Sequence, residues 1–228
     1  MLGTIVNCLT IIAGSVVGIG FRNKIPEKYN QTVMQAIGLA VILVGIKGAL
    51  GCDELLIIII SLAIGSLIGE MIDIENYLEQ LGKFFETKLS KSANGFAAGF
   101  VTASLIYCVG SMAIVGALES GLTGNHDTLF AKAALDGIVS ILLSSSLGIG
   151  VLFSAVPVLV YQGSITLLAG VIKPLLTPAV ISQMSAIGGL LIVGIGLNMI
   201  RDKKLKVGNM LPAIFIPLIY FFIKNLYQ

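Results

Sequence analysis

Four side chains capable of chemistry fall four residues apart in one stretch of this sequence: Lys132, Asp136, Ser140 and Ser144, with Gly148 continuing the line. On an α-helix, residues four apart share a face. A helix here would present an ammonium, a carboxylate and two hydroxyls in one column. A carboxylate so placed can bind a cation or take up a proton, with burial and the nearby Lys132 pulling its protonation in opposite directions. The plainer reading is a structural ion pair near a helix end, with Lys132 reaching toward an interface.

Two further polar stripes lie on either side of that segment. Ser104, Tyr107, Cys108 and Ser111 recur at helical spacing, with Thr102 nearby. Gln162 and Thr166 are one turn apart beside Gly163 and Ser164, and Pro157 upstream is a natural helix breaker. A glutamine deep in an apolar helix requires hydrogen-bond partners, and broken backbone can offer carbonyls to a ligand. Small hydroxyls also serve tight helix packing. Asn7 and Asn198 are single amides, read as links between helices.

Enzyme signatures are missing: there is no HExxH, GxSxG, P-loop or GxGxxG before a helix. The chain is therefore not expected to be an enzyme, and no cofactor or ATP site is implied. The single histidine, His126, has no ligand cluster around it and makes a poor metal site. Cys8, Cys52 and Cys108 form no CxxC or Cys/His pattern and read as small packing residues. No basic patch would track phosphates, so nucleic acid is not an expected partner.

The elements that must hold these residues follow from composition. Of 228 residues, 56% are hydrophobic and 11% charged, against about 25% charged in an ordinary soluble domain. Mean hydropathy is +1.00. Lipid is the solvent that accommodates such an excess, and a bilayer core is crossed by about 20 apolar residues per helix. Apolar helices are expected over 2–21, 33–50, 55–72, 95–118, 129–150, 155–173, 183–200 and 210–227, with a kink at Pro217 in the last. The continuous apolar run 129–172 is divided at Gly148, Gly150 and Pro157. Residues 74–89 differ: Ile74, Tyr77, Leu78, Leu81, Phe84, Phe85 and Leu89 recur at helical spacing among Glu and Lys. That segment is expected to lie in the interface as an amphipathic helix. The first residues lack a positive leader region and read as the start of the first helix.

Charge supports eight spans. Arg22, Lys24, Lys28, Lys83, Lys88, Lys91, Arg201, Lys203, Lys204 and Lys206 then fall on one side. Cytoplasmic loops collect Lys and Arg, so both termini are expected outside. A faint repeat accompanies this: Ala36-Ile37-Gly38 recurs as Ala186-Ile187-Gly188, and Val44-Gly45-Ile46 as Val193-Gly194-Ile195. It would relate helices 1–3 to helices 6–8 in opposite orientations, an inverted repeat common among transporters.

The sequence also carries a family resemblance. Gly99-Phe100-Val101-Thr102-Ala103-Ser104-Leu105, Cys108-Val109-Gly110, Leu135-Asp136-Gly137, Gly148-Ile149-Gly150-Val151 and Gln162-Gly163 resemble the YqgA/YdfK-like family of bacterial inner-membrane proteins. The opening Gly3-Thr4-Ile5-Val6-Asn7 and the Gly14 and Gly18 helix are similar too, so the resemblance spans essentially the whole chain. It implies a place in the bacterial inner membrane, adds only a general transport label, and carries over no catalytic or binding residues.

The expectation is an all-α, polytopic transmembrane helix bundle of about eight spans, a single transmembrane domain over residues 1–228. Its leading function is secondary transport or conduction of a small solute or ion through the bilayer. Asp136 would be the ionisable centre, with Lys132, Ser140, Ser144, Gln162, Ser111 and Ser104 as candidate site residues. Alternatives are a channel-like homo-oligomer, and a non-transporting scaffold or sensor whose partner docks on 74–89.

Overall fold

The computed structural model describes residues 1–22, 27–89, 96–201 and 205–226, with the side chains of 22, 27–31, 81–83, 85–89, 111 and 225–226 left undescribed. Among the described residues it is helical throughout, with no strand.

The first helix shows why lipid is the solvent. Along α1 (Leu2–Arg22), Leu2, Ile5, Leu9, Ile12 and Val16 are exposed, while Thr4, Asn7, Cys8, Ile11 and Ser15 are buried. The polar residues face inward and, Ile11 apart, the aliphatic ones named face outward. In water each such aliphatic side chain would forfeit about 1.5–3 kcal/mol of burial; in hydrocarbon it loses nothing. The chain continues as α2 (Glu27–Ala49), then α3 (Leu55–Ile72). The same inversion recurs in α3, where Leu55, Leu56, Ile59, Ile60 and Leu67 are exposed over buried Ser61, Gly65 and Gly69.

At the end of α3, Asp73 adopts the left-handed conformation (φ 58°, ψ 50°) and its N–H bonds Gly69 O, which closes the helix. The chain turns there into α4 (Ile74–Leu89), the amphipathic helix with the bounds the sequence gives it. The helix expected over 95–118 is broken instead. It forms α5 (Phe96–Cys108) and α6 (Ser111–Leu122), bent by 59° about Val109 and Gly110. Gly110 has φ 145°, open only to glycine, so the break is written into the backbone. Next come α7 (Asp127–Leu147), α8 (Gly150–Phe153), α9 (Ala155–Leu167) and α10 (Ala169–Ile172).

α11 (Pro178–Ile200) starts earlier than the expected 183, because Thr177 caps it, accepting from Val180 N (3.3 Å), with Pro178 in the first turn. The last apolar segment is a 3-10 stretch over Gly208–Phe215, containing Pro212, followed by α12 (Ile216–Leu226). The expected kink at Pro217 is this change of helix type, which leaves Pro217 in the first turn of α12.

Among the described residues six helices are long and apolar enough to cross a membrane. The bent α5–α6 pair makes a seventh, and Gly208–Lys224 is a shorter apolar segment. Packing directions fit this count. α1 and α7 run parallel: Gly3 lies against Leu129, Thr10 Oγ1 donates to Ala133 O (2.9 Å), and Gly18 abuts Ser144. Parallel neighbours require an even number of reversals between them, and α2, α3 and one crossing by α5–α6 give that. α2 and α11 run antiparallel, with Gly38 against Gly196 and Gly45 against Gly189. A side chain at Gly45 would strike the Gly189 carbonyl, and one at Gly189 the Gly45 carbonyl. α3 and the 3-10 stretch are also antiparallel, Gly65 meeting Ala213 and Gly69 meeting Asn209. These small-residue seams let backbones touch, as interhelical packing in lipid requires.

Candidate functional site

α7 presents the predicted column. Leu135, Ile138 and Leu142 are exposed on its outer face, whereas Lys132, Asp136, Ser140 and Ser144 are buried. Lys132 Nζ lies 2.9 and 2.8 Å from the two Asp136 carboxylate oxygens, a buried i,i+4 ion pair. Removing two charges from water is costly unless further hydrogen bonds support them. Here α1 supplies one: Asn7 Nδ2 donates to Asp136 Oδ2 at 3.0 Å and to Gln162 Oε1 at 3.3 Å. One amide thus ties α7 to α9 through α1. Asn7 and Gln162 are completely buried.

One turn along α7, Ser140 Oγ is 2.7 Å from Tyr107 Oη on α5. Ser144 turns back and donates to the Ser140 carbonyl of its own helix. The structure therefore joins Lys132, Asp136 and Gln162 into one network through Asn7, sets Ser140 with Tyr107 as a separate pair one turn along, and leaves Ser144 as a packing contact for Gly18. Ser104 stands apart, on the wall of a separate cavity. Ser111 opens α6 after the break, and its side chain lies outside the described residues.

The network is underbonded. Asn7 Oδ1, Gln162 Nε2, Thr4 Oγ1 and Thr166 Oγ1 are buried without a protein partner. Buried polar atoms in native interiors are satisfied by protein or by ordered water, so this part of the bundle has room in its bonding for something else. Asn7 was legible only as a lone amide, and Thr4 carried no signal beyond its apolar surroundings.

Two cavities flank α5. One, of about 300 Å³, sits at the α5–α6 break between Ser104, Cys108, Gly110, Tyr161, Met184 and Phe215. Its wall is almost wholly apolar and carries no charged side chain. The other, of about 360 Å³, is bounded by Glu75, Glu79, Thr102 and Asn198 among apolar groups. Leu78 of α4 and Val101 of α5 line both, so those two side chains form the partition. α4 is fixed at its start: Asn209 Oδ1 accepts from Glu75 N (2.6 Å), and Gly208 N donates to Glu75 Oε2 (2.7 Å). Asn209 Nδ2 also reaches Glu70, which pairs with Lys206. Lys206 itself lies outside the spans, and its ammonium is held above its ordinary pKa, first through the hydrogen bond to Glu70.

Comparison with known proteins places this architecture. Residues 2–222 match the family described as "Protein of unknown function (DUF554)". The chain is 37% identical to the "Uncharacterized membrane protein YdfK" of Bacillus subtilis (strain 168), covering 98% of this chain and 96% of that protein. It is 30% identical to the "Uncharacterized protein YqgA" of Escherichia coli (strain K12), covering 94% and 93%. No solved structure matches the chain. With its inside-out helices and an end-to-end match, this multi-pass membrane protein belongs to the DUF554 family, as its Gly-Phe-Val-Thr-Ala-Ser and Leu-Asp-Gly motifs imply.

Proposed function

We propose that this chain is a secondary transporter or ion-conducting protein of the bacterial cytoplasmic membrane, with Asp136 as its ionisable centre. The observation that carries the reading is the Lys132–Asp136 pair, buried among spans and bridged by Asn7 to Gln162. Charged groups at membrane depth are costly and characteristically mark ion or substrate pathways. The broken α5–α6 span and the cavity at its break support it, since discontinuous helices are how transporters form sites at mid-membrane.

The inverted repeat belongs to the same proposal. Its mates would be α2 with α11, and α3 with the 3-10 stretch and α12. Each pair packs antiparallel across a seam of small residues, the arrangement a pseudo-two-fold axis in the membrane plane would produce. With eight crossings, the Lys/Arg bias supports termini on the outside and α4 on the cytoplasmic face.

The test is a thermal-shift screen of the purified protein against ions, amino acids and small organic acids at several pH values. A ligand of the folded state raises Tm with its concentration. The decisive variant is Lys132→Met/Asp136→Leu, which removes both charges together and leaves neither unpaired. A transport site predicts a folded double variant that no longer responds to the ligand. A response that persists moves the site elsewhere, and silence across the panel favours a scaffold acting through α4.

A further inference from the structure

Thr4 and Asn7 on α1, and Gln162 and Thr166 on α9, are 0%, 0%, 0% and 6% exposed, and each carries a polar atom with no protein partner. They lie on facing helices. Asn7 bonds Gln162, Met1 packs against Gly163, and Cys8 Sγ donates to Ala155 O, so numbering rises along α1 as it falls along α9. Thr4, three residues before Asn7, and Thr166, four after Gln162, are therefore both displaced toward the Met1 end. That end is polar: Ser120 Oγ is 2.9 Å from His126 Nδ1 and 3.5 Å from the Met1 amine.

We propose that this seam is a hydrated path delivering protons from the His126 end of the bundle to Asp136. The unpartnered atoms choose the ligand. Gln162 Nε2 only donates, Asn7 Oδ1 only accepts, and the threonine hydroxyls do both. Water answers all four, whereas a bare metal cation cannot accept from an amide N–H. Buried water characteristically satisfies such groups. Toward the opposite end of α7 the chain of polar atoms closes. Ser140 and Ser144 are already bonded, and Gly14 and Gly18 press onto the α7 backbone, leaving Ser15 on α1 and Ser146 on α7 as unpartnered hydroxyls without an unpartnered amide beside them.

The inference rests on the transport reading and names its coupled ion. Titratable groups within electrostatic reach of Asp136 are Lys132 on its own helix, Cys8 on α1, and Tyr107 and Cys108 on α5. A proton arriving on an Asp136 oxygen neutralises the carboxylate and takes the pair from net zero to the single positive charge of Lys132. Membrane interior disfavours that charge alone, so the solute that accompanies the proton is a small anion able to pair with the freed ammonium.

Two substrate-independent measurements test the path. In a background with Cys8, Cys52 and Cys108 replaced by Ala, Thr4→Cys and Thr166→Cys are exposed to a charged, membrane-impermeant thiosulfonate from each face of oriented vesicles. Because the hydrated thiolate is the reacting form, both should react at least about tenfold faster than Ile165→Cys, and only from the His126 face. Rates equal to that buried control, or reaction from the other face, overturn the path. The infrared carbonyl band of protonated Asp136, identified by its absence in Lys132→Met/Asp136→Leu, should titrate with the pH of the His126 side. A band answering only the opposite side also overturns it. The anion clause is read by thermal shift with small carboxylates: stabilisation should grow as pH falls, and stabilisation independent of pH removes the coupling. A labelled seam and a titrating Asp136 in a protein stabilised by no solute uphold the path and fail the transport reading instead.

Discussion

At the residue scale the protein depends on one buried pair of charges and on the atoms around it. Asp136→Asn leaves Lys132 as an uncompensated buried ammonium. Chemical or thermal unfolding in detergent should show a loss of about 3–5 kcal/mol. Lys132→Met/Asp136→Leu should be neutral or stabilising by about 1–4 kcal/mol, because the paired ions return little beyond their desolvation. If the double variant unfolds as readily as the single one, the network's geometry rather than its charge holds the helices. Asn7→Leu should cost about 1–3 kcal/mol, since it withdraws the donor from Asp136 Oδ2 and from Gln162 Oε1 together. The Lys132, Asp136, Ser140, Ser144 column was legible in the sequence because period four on an apolar helix places all of them on one face. Asn7 was not, because a lone amide has no spacing to reveal its partner 129 residues away.

At the element scale, small residues decide which helices can touch. Gly45→Ala and Gly189→Ala each place a methyl against backbone of the facing helix. Each should lose about 1–3 kcal/mol by overpacking. Gly20→Ala in α1 meets open space, so stability should be unchanged or rise by up to about 1 kcal/mol; a loss comparable to that of Gly45→Ala would show that contact across the seam is not what decides these sites. Gly110→Ala forces a side chain onto φ 145° and should cost about 1–3 kcal/mol. The α5–α6 break also explains why one continuous helix was expected there. Hydropathy stays high across Val109 and Gly110, and nothing in the residue pattern distinguishes a helical glycine from one at positive φ.

At the scale of the whole molecule, parity is the testable property. The eight crossings proposed for this chain would place both ends on one face, so tags at residues 1 and 228 should both be reached by a reagent from the periplasmic side. Ends on opposite faces would mean that the shorter apolar segment Gly208–Lys224 does not cross, since the parallel packing of α1 and α7 already requires one crossing by α5–α6. The sequence by itself determined the solvent, the helical class, the amphipathic helix at 74–89 and the ionisable column on α7. Each of these is local, set by composition or by a period within one helix. Only the tertiary structure decided that Asn7 and Gln162 close around Asp136, that Gly45 meets Gly189, and that the polar atoms of α1 and α9 face one another unpartnered. Those facts depend on which helices become neighbours. In a chain where nearly every span is Ala, Gly, Ile, Leu and Val, the apolar pattern that inserts a helix into lipid is almost the same for all of them and cannot say which one it will lie against.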